Sequence, residues 1–262
     1  MLFDRFALGV ALLVSAAAAA PSGDIKPRED IVGGSPARAG EFPWIVSLSR
    51  QGRHFCGGSL LNERTVVTAA HCVANADARS TRVRAGSTRA STGGTQVGAA
   101  TFISHPGYRG SPEGGSDIAI IKLAQPIRAG GNIAYAKLPE SGSDVSGGTQ
   151  LEVAGWGATD TEGQGGGSET LNKVRVPAVD RQSCSRAWQR EIGGRIDETM
   201  ICAGYSQGGR DSCFGDSGGP IVDASSRVLV GTVSFGKPCA KPGFPTIYGN
   251  VGALLDFVTS NM

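Results

Sequence analysis

The sequence predicts an all-β protein. Short β-branched and apolar runs recur between turn signals, 40 of the 262 residues are glycine, and no long amphipathic helical period interrupts them.

The elements follow in chain order. Phe6 to Val14 is an apolar run, and Ala16 to Ala20 supplies small residues where a peptidase could cut. Residues 1–20 therefore read as a secretion signal, the apolar stretch being too short to anchor in a membrane. Pro21 disfavours cleavage directly before it. No second apolar span follows, and no Asn-x-Ser/Thr sequon occurs. Trp44 to Leu48, Thr65 to Thr68, Ile118 to Leu123, Leu151 to Ala154 and Val228 to Val233 read as strands. Only Val251 to Val258 spaces its apolar residues like a helix. From Ile31 onward the chain is long enough for one large all-β unit or two small ones, and no internal repeat is visible.

Charge excludes little and suggests little. Removing Arg5, Lys26 and Arg28 together with Asp4, Asp24, Glu29 and Asp30 moves the net charge from +2 to +3. That is too mild to argue for nucleic acid or a membrane as partner. Six cysteines behind a signal segment imply disulfides, and the count alone allows 15 pairings. Zinc is not expected, because no Cys-x-x-Cys pair exists.

Three motifs carry the chemistry. Thr68-Ala69-Ala70-His71-Cys72, Asp117-Ile118-Ala119-Ile120 and Gly215-Asp216-Ser217-Gly218-Gly219-Pro220 place a base, a carboxylate and a nucleophile in the order His, Asp, Ser. A serine hydroxyl is a poor nucleophile at neutral pH. It needs a base near pKa 7 and a group that sets that base's tautomer. Of the three histidines, His54 in a strand-like segment and His105 before Pro106 read as surface or packing residues, while His71 stands in the Ala69-Ala70-His71-Cys72 motif.

With Ile31-Val32-Gly33-Gly34 as a mature start, these motifs resemble the trypsin-like serine proteases of the chymotrypsin family, of fungal or bacterial type, over Ile31 to Met262. The resemblance implies two six-stranded antiparallel β-barrels with a C-terminal helix, a boundary near Ser143, a crossover at Gly142 to Gly148, and a mobile loop at Gly163 to Gly167 beside the cleft. It pairs Cys56 with Cys72, Cys184 with Cys202, and Cys213 with Cys239. His71 becomes the general base, Asp117 its hydrogen-bonded carboxylate, Ser217 the nucleophile, and Ser234 the serine supporting Asp117. Backbone N–H groups of Gly215 and Ser217 would form the oxyanion hole.

The same resemblance makes residues 21–30 an activation propeptide and 31–262 the protease domain of a zymogen. Cleavage would free the Ile31 amine to pair with Asp216 and order the pocket. Asp30 precedes Ile31, and an acidic pocket is not expected to cut after an aspartate. Another protease acting at Asp30, or cleavage after Arg28 and removal of Glu29-Asp30, would be needed.

Asp211 stands at the expected pocket base and implies cleavage after Arg or Lys. Gly236 keeps one wall open. Thr246 occupies a position where glycine is usual. It narrows the pocket towards small or mixed residues, or its strand shifts, or its hydroxyl bonds Asp211 and leaves room for a thin lysine. Phe235 and Phe214 replace a tryptophan and a polar residue at the rim. Gly86 to Gly98 contains no acidic residue, so neither calcium nor another cofactor is expected. The reading is a secreted, monomeric endopeptidase acting on protein and peptide substrates. A catalytically silent binding module is the alternative of a different class, and no triad residue is lost.

Overall fold

The computed structural model describes Met1 and residues 31–161 and 166–262. The expected signal beyond Met1, the whole of the expected propeptide, and residues 163–165 of the expected mobile loop lie outside the described residues.

Two closed antiparallel barrels form the molecule. The first uses β2 (Ile45–Arg50), β3 (Arg53–Asn62), β4 (Thr65–Thr68), β5 (Thr81–Ala85), β6 (Thr95–Ser104) and β7 (Ala119–Leu123), closed in the order β2-β3-β4-β7-β6-β5. Alternation builds it: in β5, Thr81, Val83 and Ala85 point inward while Arg82 and Arg84 face out. Gln51 and Gly52 at φ +52° and +77° make the two-residue turn between β2 and β3, whose twist matches that of its strands.

The second barrel uses β8 (Gln150–Gly155), β9 (Asn172–Val179), β10 (Met200–Ala203), β11 (Pro220–Asp223), β12 (Leu229–Phe235) and β13 (Thr246–Asn250). It closes through β11 on β8 and β8 on β9, and the short β1 (Ser35–Pro36) pairs with the outside of β9. An apolar cluster crosses the seam, joining Ile45, Val67, Ile118 and Ile120 to Trp156, Val222 and Leu229. This shared core fixes one barrel against the other, and the cleft between them inherits that rigidity.

Helices are few. The turn α1 (Ala70–Ala74) carries His71. α2 (Arg181–Ala187), which the apolar spacing does not announce, starts where Asp180 accepts a hydrogen bond from the Ser183 N–H, and α3 (Gln189–Ile192) follows it. The C-terminal α4 (Leu255–Ser260) begins four residues later than the periodicity predicts. Asn250 Oδ1 accepts from the Gly252 and Ala253 N–H groups, and Gly252 lies so close to the crossover that a Cβ there would be 2.3 Å from the Ser143 carbonyl oxygen. A turn, not a helix, satisfies both constraints. Among the described residues, no helix is long and apolar enough to cross a membrane.

Candidate active site

His71 and Asp117 meet at the seam. β4 delivers the chain to α1, and the Cys56–Cys72 disulfide ties that turn to β3. Asp117, just ahead of β7, is 2 % exposed. Its Oδ1 accepts the His71 backbone N–H at 2.9 Å, and its Oδ2 accepts His71 Nδ1–H at 2.7 Å and the Ser234 hydroxyl at 2.5 Å. Three donors on one buried carboxylate compensate its lost hydration. They also place the imidazole proton on Nδ1 and leave the Nε2 lone pair available as a base. Cys56, His71 and Cys72 lie within metal-ligand distance of one another, but both sulfurs are spent in the disulfide.

Ser217 reaches the same cleft on a tight turn. The Asp216 N–H bonds the Cys213 carbonyl at 3.0 Å, the Gly219 N–H bonds the Asp216 carbonyl at 2.9 Å, and the Ser217 carbonyl accepts from Gly57 of β3 at 2.8 Å. Glycine is required where the barrels touch. Gly218 has φ +73°, and a Cβ there would sit 2.1 Å from Thr68 Oγ1. No hydrogen bond joins Ser217 Oγ to His71 Nε2, whose sulfur neighbour Cys72 Sγ is 3.7 Å away. Such contacts are often long without substrate and tighten when it binds. Among the described residues, the N–H groups of Gly215 and Ser217 have no acceptor, so two adjacent donors are open to a developing anion.

His54 belongs to this arrangement, although its sequence context points only to packing. Its Nε2–H donates to the Gly215 carbonyl at 2.9 Å, its Nδ1 accepts from Ser47 Oγ at 2.8 Å, and its ring lies edge-on to Trp156. Burial lowers its pKa and keeps the ring neutral, as both bonds require. A buried imidazole needs partners for both nitrogens, but the hairpin register sets His54 opposite Ser49 and not Ser47, so no local sequence signal names its partners. His105 instead packs on Phe257, its Nδ1 accepting from Gly107.

Beside Ser217 opens a pocket of about 170 Å³, lined by Ser212 to Phe214, Val233 to Lys237, Cys239 and Thr246. The Cys213–Cys239 disulfide joins two of its walls. Asp211 does not line it. The residue is 3 % exposed, and its carboxylate accepts from Ser212 N–H at 2.8 Å, Ala240 N–H at 3.1 Å and Thr246 Oγ1 at 2.8 Å. Burial raises its pKa to about 6, partly offset by those donors. Of the features weighed for Thr246, the geometry shows the hydroxyl bond to Asp211, with β13 in register with β10. Gly236 lies opposite, where a Cβ would come within 2.9 Å of Thr246 Oγ1. Phe235 turns its ring towards Trp188, and Phe214 stands 63 % exposed at the rim.

Asp216 is fully buried, its two oxygens accepting from Gly157 and Cys213 N–H at 2.8 Å each. Burial pushes its pKa to about 7, and the nearby Asp211 adds to the rise. Glycines at 155 and 157 make the space, since a Cβ at either would fall within 2.5 Å of its carboxylate. Ile31 is already buried, and the Val32 carbonyl accepts the Asp211 N–H at 3.1 Å.

Two antiparallel barrels with this His–Asp pair and serine turn in their seam define the chymotrypsin-fold class of serine proteases. Within it, the chain belongs to the trypsin family, whose model, described as Trypsin, matches residues 31–258. It is 41% identical over 229 residues to Trypsin 5G1 of Aedes aegypti, covering 87% of this chain and 83% of that protein. It is 38% identical to Trypsin of Phaedon cochleariae over 260 residues, covering 97% of each, and 39% identical to Trypsin beta of Drosophila erecta over 256 residues, covering 95% and 98%. These relatives come from insects, not from fungi or bacteria. The chain is accordingly a trypsin-like serine-type endopeptidase acting on protein or peptide substrates.

Proposed function

We propose that this is a secreted zymogen which, once cut before Ile31, cleaves peptide bonds after basic residues through an acyl-enzyme. The observation that carries the chemistry is the Asp117-oriented imidazole, with Nε2 free, beside a serine flanked by two unpaired N–H donors. Ser217 Oγ attacks the carbonyl carbon while His71 Nε2 takes its proton. The oxyanion settles on the Gly215 and Ser217 N–H groups, and Asp117 stabilises the imidazolium. The C–N bond breaks as His71 protonates the leaving amine. Water, deprotonated by His71, then releases the acyl group and restores Ser217. Replacing Ser217 with Ala should abolish all but a residual rate, leaving a folded protein that still binds peptide. Retention of full activity would sink the assignment.

Secretion is supported by the apolar run at residues 6–14 and by all six cysteines being in disulfides, which persist in oxidising compartments. Zymogen activation is supported by Asp216, a fully buried carboxylate whose pKa burial raises, and by Ile31, buried in the core of the second barrel. A freed Ile31 amine would supply a cation, and breaking such a buried pair costs about 3–5 kcal/mol. The protein would act as a monomer, activated by a second protease because Asp30 precedes the cut. N-terminal sequencing of secreted active enzyme should begin at Ile31. Activity of the full-length chain would overturn this.

The basic preference rests on Asp211 behind the pocket floor. A second reading, preference for small residues, is favoured by Thr246 standing between that carboxylate and the cavity. Rates on peptide amides differing only in the residue before the scissile bond decide between them.

A further inference from the structure

We propose that Thr246 makes this pocket selective for lysine over arginine. The inference rests on the basic-residue reading above and narrows it to one side chain.

Asp211 presents no free edge to the cavity. Oδ1 holds the Ser212 N–H, and Oδ2 holds the Ala240 N–H and the Thr246 hydroxyl. Arginine gains its advantage from two parallel N–H···O bonds to one carboxylate. Here that geometry requires expelling the Thr246 hydroxyl from Oδ2 and leaving it unpaired in a buried site, which is unfavourable. The guanidinium is also a wide planar group. Thr246 Oγ1 occupies the side of the pocket facing Gly236, so the width left by the glycine is already in use.

Lysine asks for something different. Its ammonium is a compact charge with three donors and no preferred plane. Thr246 Oγ1 spends its single hydrogen on Asp211 and keeps lone pairs to accept from a ligand. Ser212 also lines the cavity, and its Oγ lies 3.3 Å from Tyr248 Oη. An ammonium at the floor would donate to these two hydroxyls, while Asp211 neutralises it from one hydrogen bond further back. The Thr246 hydroxyl thus relays the carboxylate's charge to a cation that cannot touch it.

The test uses mature enzyme beginning at Ile31 and matched peptide amides ending in Lys, Arg, Ala or Leu. Labelling of Ser217 by a phosphonylating reagent counts the folded sites of each variant. Lys should exceed Arg in kcat/KM by about tenfold, the scale of one hydrogen bond to a charged group. Thr246→Gly should raise the Arg rate and erase or reverse the ratio. Thr246→Val keeps the bulk but removes the relay, so Lys should fall while Arg stays poor. Equal or better cleavage after Arg by the wild type would overturn the proposal and leave the basic-residue reading standing. An unchanged ratio in Thr246→Gly would also overturn it. Ala or Leu cleaved faster than both basic residues would remove the basic-residue reading itself.

Discussion

The His54 imidazole, carried by the first barrel, donates Nε2–H to the carbonyl of Gly215 in the second at 2.9 Å. That bond fixes the peptide following Gly215, a residue at φ +98°, and with it the direction of the Gly215 N–H beside Ser217. Replacing His54 with Phe keeps the ring but removes the donor. Loss of one oxyanion donor costs about 2.7–4 kcal/mol, or 10²–10³ in kcat, and a donor that is only misaligned should cost less. We expect kcat to fall by about tenfold or more with KM little changed. Unaltered kcat would show that the contact is packing only.

Asp117 accepts from both the backbone and ring of His71, so Asp117→Asn should preserve the geometry while favouring the wrong tautomer. A drop of about 10⁴ in kcat is expected for that change. Ser234→Ala removes one of three donors to the same carboxylate and should cost far less. A Ser234→Ala loss equal to that of Asp117→Asn would show that Ser234 acts by another route.

Asp211 and Asp216 have folded pKa values of about 6 and about 7, above the ordinary aspartate value of 3.8, chiefly through burial. The folded uncut chain therefore holds more protons than the unfolded chain across that window. Their stabilising contribution is fully present below about pH 4 and is lost as pH rises towards 7, by at most about 1.4 kcal/mol per unit per group. Thermal unfolding of the uncut Ser217→Ala protein between pH 4.5 and 8 should show Tm declining through this component. Adding Asp216→Asn should flatten the decline, and cleavage before Ile31 should do so by supplying a cation. Identical slopes in all three forms would contradict the assignment.

Gly218 and Gly110 both have positive φ, at +73° and +87°, but only Gly218 meets another atom. Gly110→Ala should cost about 1 kcal/mol from backbone strain alone. Gly218→Ala adds a clash 2.1 Å from Thr68 Oγ1 at the barrel seam and should both destabilise more and depress kcat. Denaturant midpoints and rates on one substrate compare the two, and equal losses would mean that the seam yields.

Local signals reached far into this protein. The strand at Thr65–Thr68 falls where its β-branched run lies, and β7, β8 and β12 differ from their predicted runs by two residues or fewer at either end. α4 was misplaced because the helical spacing of Val251 to Val258 is overruled by the Asn250 turn and the contact of Gly252 with Ser143, neither of which leaves a mark in periodicity. α2 was missed because a seven-residue helix has too few turns to display a period, though its Asp180 cap is a legible start.

By itself the sequence determined the all-β class, the candidate triad and the backbone glycines, since turn chemistry and short motifs act between near neighbours. Only the tertiary structure decided what His54 and Thr246 do. Their partners lie 161 and 35 residues away, at Gly215 and Asp211. Hydrogen bonds act over about 3 Å, so such pairings exist only after both barrels have closed and brought distant strands within reach.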